Sequence, residues 1–333
     1  MNKKIKDYIK DKTILVTGGT GSFGEFLTRE LLAFEPKKII IFSRDEWKQH
    51  ELKRKLADYK SILDFCIGDV RNFDALLVAS RNVDIIYHAA AMKHVSISEE
   101  NPMEAVYTNI YGAYNLKEAA IRNKVGSVIA ISTDKAVRSV NVMGMTKAIQ
   151  ERILLANHKQ PKTRFICVRF GNVVGSRGSV VPLFKEALEH NEPILLTDPK
   201  MTRFLISLDD AMELIFTATL EGQGREIFVK KMPVCQIYDM AKVMIKNMKN
   251  TEIKNYPVRI IGLREGEQLH ETLVSEEEMS RAKESVGYFV IYPYGTTNLP
   301  KMKSTIGEYR TDLFKDRMQE DEIEKVLKMD GWI

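Results

Sequence analysis

The chain has 333 residues, 44% of them hydrophobic and 29% charged, with a formal net charge of +5. That length allows a sizeable core and about two domains, in a composition typical of globular proteins. No basic block interleaved with aromatics points to nucleic acid, and no apolar run approaches the ~18 residues of a membrane span.

Cys66, Cys167 and Cys235 are widely separated and odd in number. They match neither a disulfide framework nor a metal site, so no metal is expected and a reducing cytoplasm fits best. The segment before Lys12 alternates Lys with Ile and has no signal-peptide core.

The first predicted strand, Ile14–Val16, runs into Thr17-Gly18-Gly19-Thr20-Gly21-Ser22-Phe23-Gly24 and then a helical pattern over 24–34. Gly18 allows a tight turn, Gly21 lets backbone approach a phosphate, and Gly24 lets the helix pack closely on the strand. The helix start, through Thr20, Ser22 and Phe23, then offers free N–H groups to a pyrophosphate. The second strand, Lys38–Phe42, ends in Ser43-Arg44-Asp45-Glu46 before a helix over 46–58. Ser43, Arg44 and Lys48 suit the 2′-phosphate of NADP; in the other reading Asp45 takes the free ribose of NAD.

The third strand, Leu63–Ile67, is closed by Gly68-Asp69-Val70, where a carboxylate can accept the adenine amino group, and a helix follows over 72–80. The fourth, Asp84–Tyr87, is followed by His88-Ala89-Ala90-Ala91, small residues where backbone runs close to a cofactor. A helix over 102–123 carries Asn109, placed with the same cofactor set. The fifth strand, Ser127–Ile131, leads to Ser132-Thr133-Asp134-Lys135 and a helix over 142–159; the sixth is Phe165–Val168. This alternation predicts an α/β, Rossmann-type doubly wound parallel sheet with ligands beyond the carboxyl ends of its strands.

After residue 170 a Gly-rich loop precedes helices over 182–190, 208–221 and 236–248, a strand near 258–262 and a charged helix over 276–284. The reading is a dinucleotide domain over 1–170, a smaller α/β substrate lobe over 171–290 interleaved with it, and an extension over 291–333. That extension ends in an amphipathic helix over 321–329, free to cover a neighbour or its own lobe.

The helix over 142–159 resembles the catalytic helix of extended short-chain dehydrogenase/reductases, which carries Tyr-x-x-x-Lys. Lys147 matches the Lys, but Met143 stands at the Tyr position and cannot exchange a proton. Either the chain only binds a dinucleotide, or another group takes the proton. Asp134-Lys135 at the strand end speaks for the second.

The resemblance sharpens with Ala91-Met92-Lys93-His94-Val95, Thr133-Asp134-Lys135, Arg169 to Val180, Met201-Thr202-Arg203-Phe204 and Arg264-Glu265-Gly266-Glu267. Together these look like the inverting UDP-N-acetylglucosamine 4,6-dehydratases of bacterial capsule and flagellin-sugar pathways, some of which also have Met at the Tyr position. The resemblance implies a tightly bound, internally recycled NADP: C4 is oxidised, water is lost across C5–C6, and the hydride returns to C6. It implies Lys135 as the C5 base, with its pKa pulled toward neutrality by burial, and Asp134 as acid for the C6 hydroxyl. Asp134 would also take the C4 proton, directly or through Thr133 or water, while Lys147 orients the ribose. Lys93, Asn172 and Val180 would face the sugar and diphosphate. Arg177, Thr202, Arg203 and Arg264 would meet the nucleotide, and Glu267 its ribose. His88 and His94 read as structural. A homo-oligomer, dimer or hexamer, is implied. Open alternatives are a nucleotide-sugar 4-epimerase, a C5-retaining dehydratase on another nucleotide sugar, and an inactive NADP-binding scaffold.

Overall fold

The computed structural model describes residues 2–156, 162–176, 178–296 and 307–333. Six apolar segments form parallel strands: β1 Thr13–Thr17, β2 Lys38–Ser43, β3 Leu63–Ile67, β4 Ile85–His88, β5 Ser127–Ile131 and β6 Arg164–Arg169. Their order in the sheet is β3-β2-β1-β4-β5-β6. The register runs Leu15↔Ile40 on one side of β1 and Leu15↔Ile86 on the other. Leu15, Ile39, Ile41, Ile86 and Ile129 are fully buried, as near-continuous apolar strands covered on both faces must be. The order of strand addition reverses between β1 and β4, the place where a doubly wound sheet opens a crevice for ligands.

The sheet does not stop at residue 170. Ile227–Lys230 adds in parallel beside β6, and Tyr288–Ile291 and Ala282–Ser285 follow antiparallel. The charged helix expected over 276–284 is therefore mostly absent. A capping box at Ser275 and Glu278 starts only the short helix Glu276–Met279. Residues 282–285 instead form an edge strand of a hairpin turning at Gly287, whose φ is +82°.

The helix expected over 102–123 is broken. Pro102–Ala105 leads into a π-helical stretch, Val106–Tyr111, before Gly112–Arg122 resumes α geometry. At the N-terminus a helix, Asn2–Ile9, buries Ile5 and Ile9 at helical spacing, an element not read from the Lys/Ile alternation.

A second core gathers Val181, Phe184 and Leu188 from the helix Val180–Glu189 and Met240, Met244 and Ile245 from the helix Ile237–Lys249. The C-terminal helix Glu320–Met329 completes it, with Ile323 and Leu327 each 1% exposed. The amphipathic tail thus covers its own lobe. Among the described residues no helix is long and apolar enough to cross a membrane.

Candidate active site

The carboxyl ends of β1 to β6 and the second core enclose a cavity of about 1280 Å³. On its β1 side, Gly18 has φ +69°, and a methyl group there would stand 2.7 Å from the Ala90 nitrogen. Only glycine admits both the left-handed backbone and that approach. A side chain at Gly24 would strike the Gly18 carbonyl. Gly21 is the N-cap of the helix Ser22–Leu32 and places no side chain on its first amides. That helix start is open to an anion. The helix Val180–Glu189 also begins at the cavity without a side-chain cap, and the buried Ser179 hydroxyl has no partner among the described residues.

Beyond β2, Asp45 is used locally: it caps the helix Glu46–Lys55 by accepting from the Lys48 backbone at 2.9 Å, and it pairs with Lys48 Nζ at 2.8 Å. Arg44 lies 3.7 Å from Asp69, whose carboxyl is held below its ordinary value by Arg71 and Arg44 against the opposing effect of burial. Ser43, Arg44, Lys48, Asp69, Val70 and Ala89 to Ala91 all line the cavity, as do Thr20 to Phe23.

Asn109 does not. Fully buried in the π-helical stretch, it accepts from the Met92 backbone at 2.8 Å and donates to the Met92 carbonyl at 3.0 Å and to Thr146 Oγ1 at 2.9 Å. It stitches the segment after β4 to the helix Val142–Leu155 and positions both. The expected cofactor contact is replaced by a structural one, because its polar groups are already satisfied inside the protein.

Met143 and Lys147 sit one turn apart on the helix Val142–Leu155 and both line the cavity. Among the described residues no tyrosine lines it. Tyr111 and Tyr114 are 54% and 52% exposed on the outer surface and replace nothing. Lys147 Nζ donates to the Ile131 carbonyl at 2.6 Å and to Gln150 Oε1 at 2.8 Å, and burial pulls it down to about 8. Two of its three N–H donors are used, leaving one for the cavity. Behind it, His88 shares a 2.7 Å hydrogen bond with Thr17, and burial lowers it to about 3. The ring stays neutral, a structural group.

The strand-end segment forms the chemical centre. Asp134 is 1% exposed and does not reach the cavity wall. Its Oδ1 accepts from Thr133 Oγ1 at 2.8 Å, from the Lys135 backbone at 2.8 Å and from Lys135 Nζ at 3.1 Å. Thr133 and Lys135 do line the cavity. Lys135 Nζ is also 3.1 Å from Glu271 Oε1, which lies 3.5 Å from Arg203 Nε. Burial alone would lower the Lys135 ammonium, but Asp134 and Glu271 outweigh it and raise its pKa. The expectation of a Lys135 drawn toward neutrality is corrected: two carboxylates hold its proton. Glu271 itself is raised by burial, against the pull of Lys135 and Arg203.

Lys93, Asn172, Val180, Arg203, Arg264 and Glu267 also line the cavity. Arg203 spends its guanidinium on the carbonyls of Thr202, Gln268 and Leu269, fastening the loop before Glu271 to its own strand, Thr202–Ile206. Thr202 is sealed inside, bonded to Thr311 and His270, and is not on the wall. Arg177 lies outside the described residues. Glu271 was not legible from the sequence, because it lies four residues past the motif Arg264-Glu265-Gly266-Glu267 and its partners come from distant segments.

A dinucleotide-type sheet and a cavity bearing Met143, Lys147 and a Thr-Asp-Lys strand end define a short-chain dehydrogenase/reductase-like protein. Residues 14–293 match the model of a family described as polysaccharide biosynthesis protein. The chain is 42% identical to an uncharacterized membrane protein of Methanocaldococcus jannaschii over 98% of each. It is 42% identical to a UDP-glucose 4-epimerase of Rickettsia bellii over 95% of each. It is 44% identical to an inverting UDP-N-acetylglucosamine 4,6-dehydratase of Campylobacter jejuni over 85% of this chain and 83% of that one. The solved structure of Pen from Bacillus thuringiensis superposes with TM-score 0.89 at 36% identity, covering 97% and 99% of the two chains. The chain belongs to the polysaccharide biosynthesis protein family and, with these relatives, to the nucleotide-sugar dehydratases and epimerases.

Proposed function

We propose that the chain is a UDP-N-acetylglucosamine 4,6-dehydratase that inverts C5. The observation that carries this reading is Lys135, on the cavity wall between the buried carboxylates of Asp134 and Glu271. A 4-epimerase needs an acid–base group at C4 only, whereas elimination also needs a base at C5 and an acid at C6. Relatives at similar identity carry both names, so names do not choose between the two.

The cofactor is NADP, tightly bound, which would supply a hydride acceptor and donor at C4 and C6. Gly21 and Ser22 at the open helix start would hold its pyrophosphate, and Ser43, Arg44 and Lys48 its 2′-phosphate. Asp45, committed to its helix cap, is a poor partner for a free ribose. The remaining N–H of Lys147 holds the nicotinamide ribose. The substrate diphosphate lies at the helix start near Val180, within reach of Lys93, Asn172 and Arg264, with Glu267 on the uridine ribose. Arg177, and Arg203 on the wall, complete this set.

With Met143 in place of a tyrosine, Thr133 contacts the C4 hydroxyl and passes its proton to Asp134 behind it. Lys135 takes the C5 proton once C4 is a ketone, and after water is lost C5 regains a solvent-derived proton on the opposite face, which inverts it. The lobe over 171–290 binds the sugar nucleotide, the domain over 1–170 the cofactor, and the extension over 291–333 buttresses the lobe. Exposed Tyr107, Tyr111, Tyr114, Met145 and Ile149 support a homo-oligomer, dimer or hexamer, in the cytoplasm.

Incubation with UDP-N-acetylglucosamine and no added cofactor, followed by NMR, tests this. A 4-keto-6-deoxy product supports it; the C4 epimer alone makes the chain an epimerase.

A further inference from the structure

The reaction so described leaves the most buried carboxylate on the cavity wall without a task. Glu271 is 1% exposed, yet it lines the cavity. Its backbone is fixed on both sides: its N–H donates to Thr311 Oγ1 at 3.0 Å and its carbonyl accepts from the Thr311 N–H at 3.0 Å. Its Oε1 faces Lys135 and Arg203, while Oε2 is buried with no hydrogen-bond partner among the described residues. An unpartnered buried carboxylate oxygen destabilises the fold, so its placement on a reaction cavity calls for a chemical reason. Asp134, the carboxylate first assigned to C6, has three donors on Oδ1 and an Oδ2 that is likewise buried without a partner among the described residues. It does not line the cavity, however, and that position separates the two carboxylates.

We propose that Glu271, not Asp134, is the catalytic acid that protonates the departing C6 hydroxyl. The proposal rests on the dehydratase reading above. Lys135 begins as an ammonium and Glu271 as a carboxylate, 3.1 Å apart. A proton passes from Nζ to the carboxylate, whose pKa burial raises, leaving an amine and a carboxylic acid. The amine takes the C5 proton and the C5–H electron pair becomes the C5–C6 double bond. The C6–O bond breaks, and its oxygen takes the Glu271 proton and leaves as water. Lys135 is then ammonium and Glu271 carboxylate again, so water is lost without a proton from solvent. Both groups stand on one wall, which matches removal of H and OH from one face of the substrate. This also resolves how a lysine held protonated by two acids serves as a base: its proton acceptor is built in.

The test uses the purified full chain with UDP-N-acetylglucosamine and with its 6-deoxy-6-fluoro analogue, because fluoride leaves without protonation. E271Q should lose at least about 100-fold on the hydroxyl substrate, the usual worth of a general acid. On the fluoro substrate, read as fluoride release at alkaline pH where solvent hydroxide replaces Glu271 as acceptor of the Lys135 proton, it should stay within about tenfold of the unsubstituted protein. E271D, which keeps a proton donor, should exceed E271Q on the hydroxyl substrate. Equal losses on both substrates, or an E271Q unchanged on the hydroxyl substrate, would overturn the proposal while leaving the dehydratase reading intact. An unsubstituted protein that gives only C4 epimers and no fluoride would overturn both.

Discussion

Thr133 donates its hydroxyl to Asp134 Oδ1 at 2.8 Å, putting a cavity-wall hydroxyl in front of a carboxylate that does not itself reach the cavity. In a site whose helix presents Met143 where a tyrosine is usual, this pair takes the C4 proton in the proposed reaction. T133V, which keeps the shape and removes the hydroxyl, should lower turnover by at least about 100-fold, and T133S should stay within about tenfold of the native rate. Near-native turnover by T133V would send the C4 proton elsewhere.

Met143 is 4% exposed and carries no proton, so its part is to shape the wall. M143L conserves volume and should cost less than ~1.5 kcal/mol in chemical denaturation. Its turnover should stay close to native. A loss as large as that of T133V would mean that the thioether does more than fill space.

Arg44 is 3.7 Å from Asp69 at the end of β2, with Asp45 occupied by its helix. A charge-assisted hydrogen bond is worth about 1.5–3 kcal/mol. R44A should therefore weaken NADP by roughly 10- to 100-fold and leave NAD almost unchanged, as titration calorimetry of the two dinucleotides would read. Equal weakening of both would remove Arg44 from the 2′-phosphate.

Arg169 joins the helix Val142–Leu155 to the lobe: it meets Glu151 at 2.5 Å and Glu278 at 2.8 Å, all three buried. Burial raises the Glu278 carboxyl, but Arg169 outweighs it and holds it below the ordinary 4.5. The unfolded chain then binds that proton more readily. The resulting stability is fully present above the ordinary value of 4.5 and is lost as pH falls through the lower folded value. E278Q should cost about 3 kcal/mol at neutral pH and flatten this part of the acid limb in denaturant titrations against pH. An unchanged acid limb would show that the triad contributes no pH dependence.

The six parallel strands were legible because each is an apolar run ended by turn or small residues and followed by a helical pattern. The glycine turn was legible for the same local reason, as Gly18 needs both its φ and its approach to Ala90. What the sequence hid depends on long-range pairing. Ala282-Lys283-Glu284-Ser285 looks helical by composition, but Tyr288–Ile291 captures it as an edge strand, where charge blocks further pairing. Asn109 looks like a cofactor ligand until the π-helical turn aims it at Met92 and Thr146. Glu271 belongs to the centre only because Arg203 and Lys135 converge on it from distant segments.

The most direct test is turnover of UDP-N-acetylglucosamine in deuterated water, read by NMR and mass spectrometry. The account predicts a 4-keto-6-deoxy product with one deuterium at C5 and inverted configuration there, and K135M should abolish both the deuterium and the product. A product with C5 protium and unchanged configuration, or only the C4 epimer, would contradict a reaction built on Lys135 at C5.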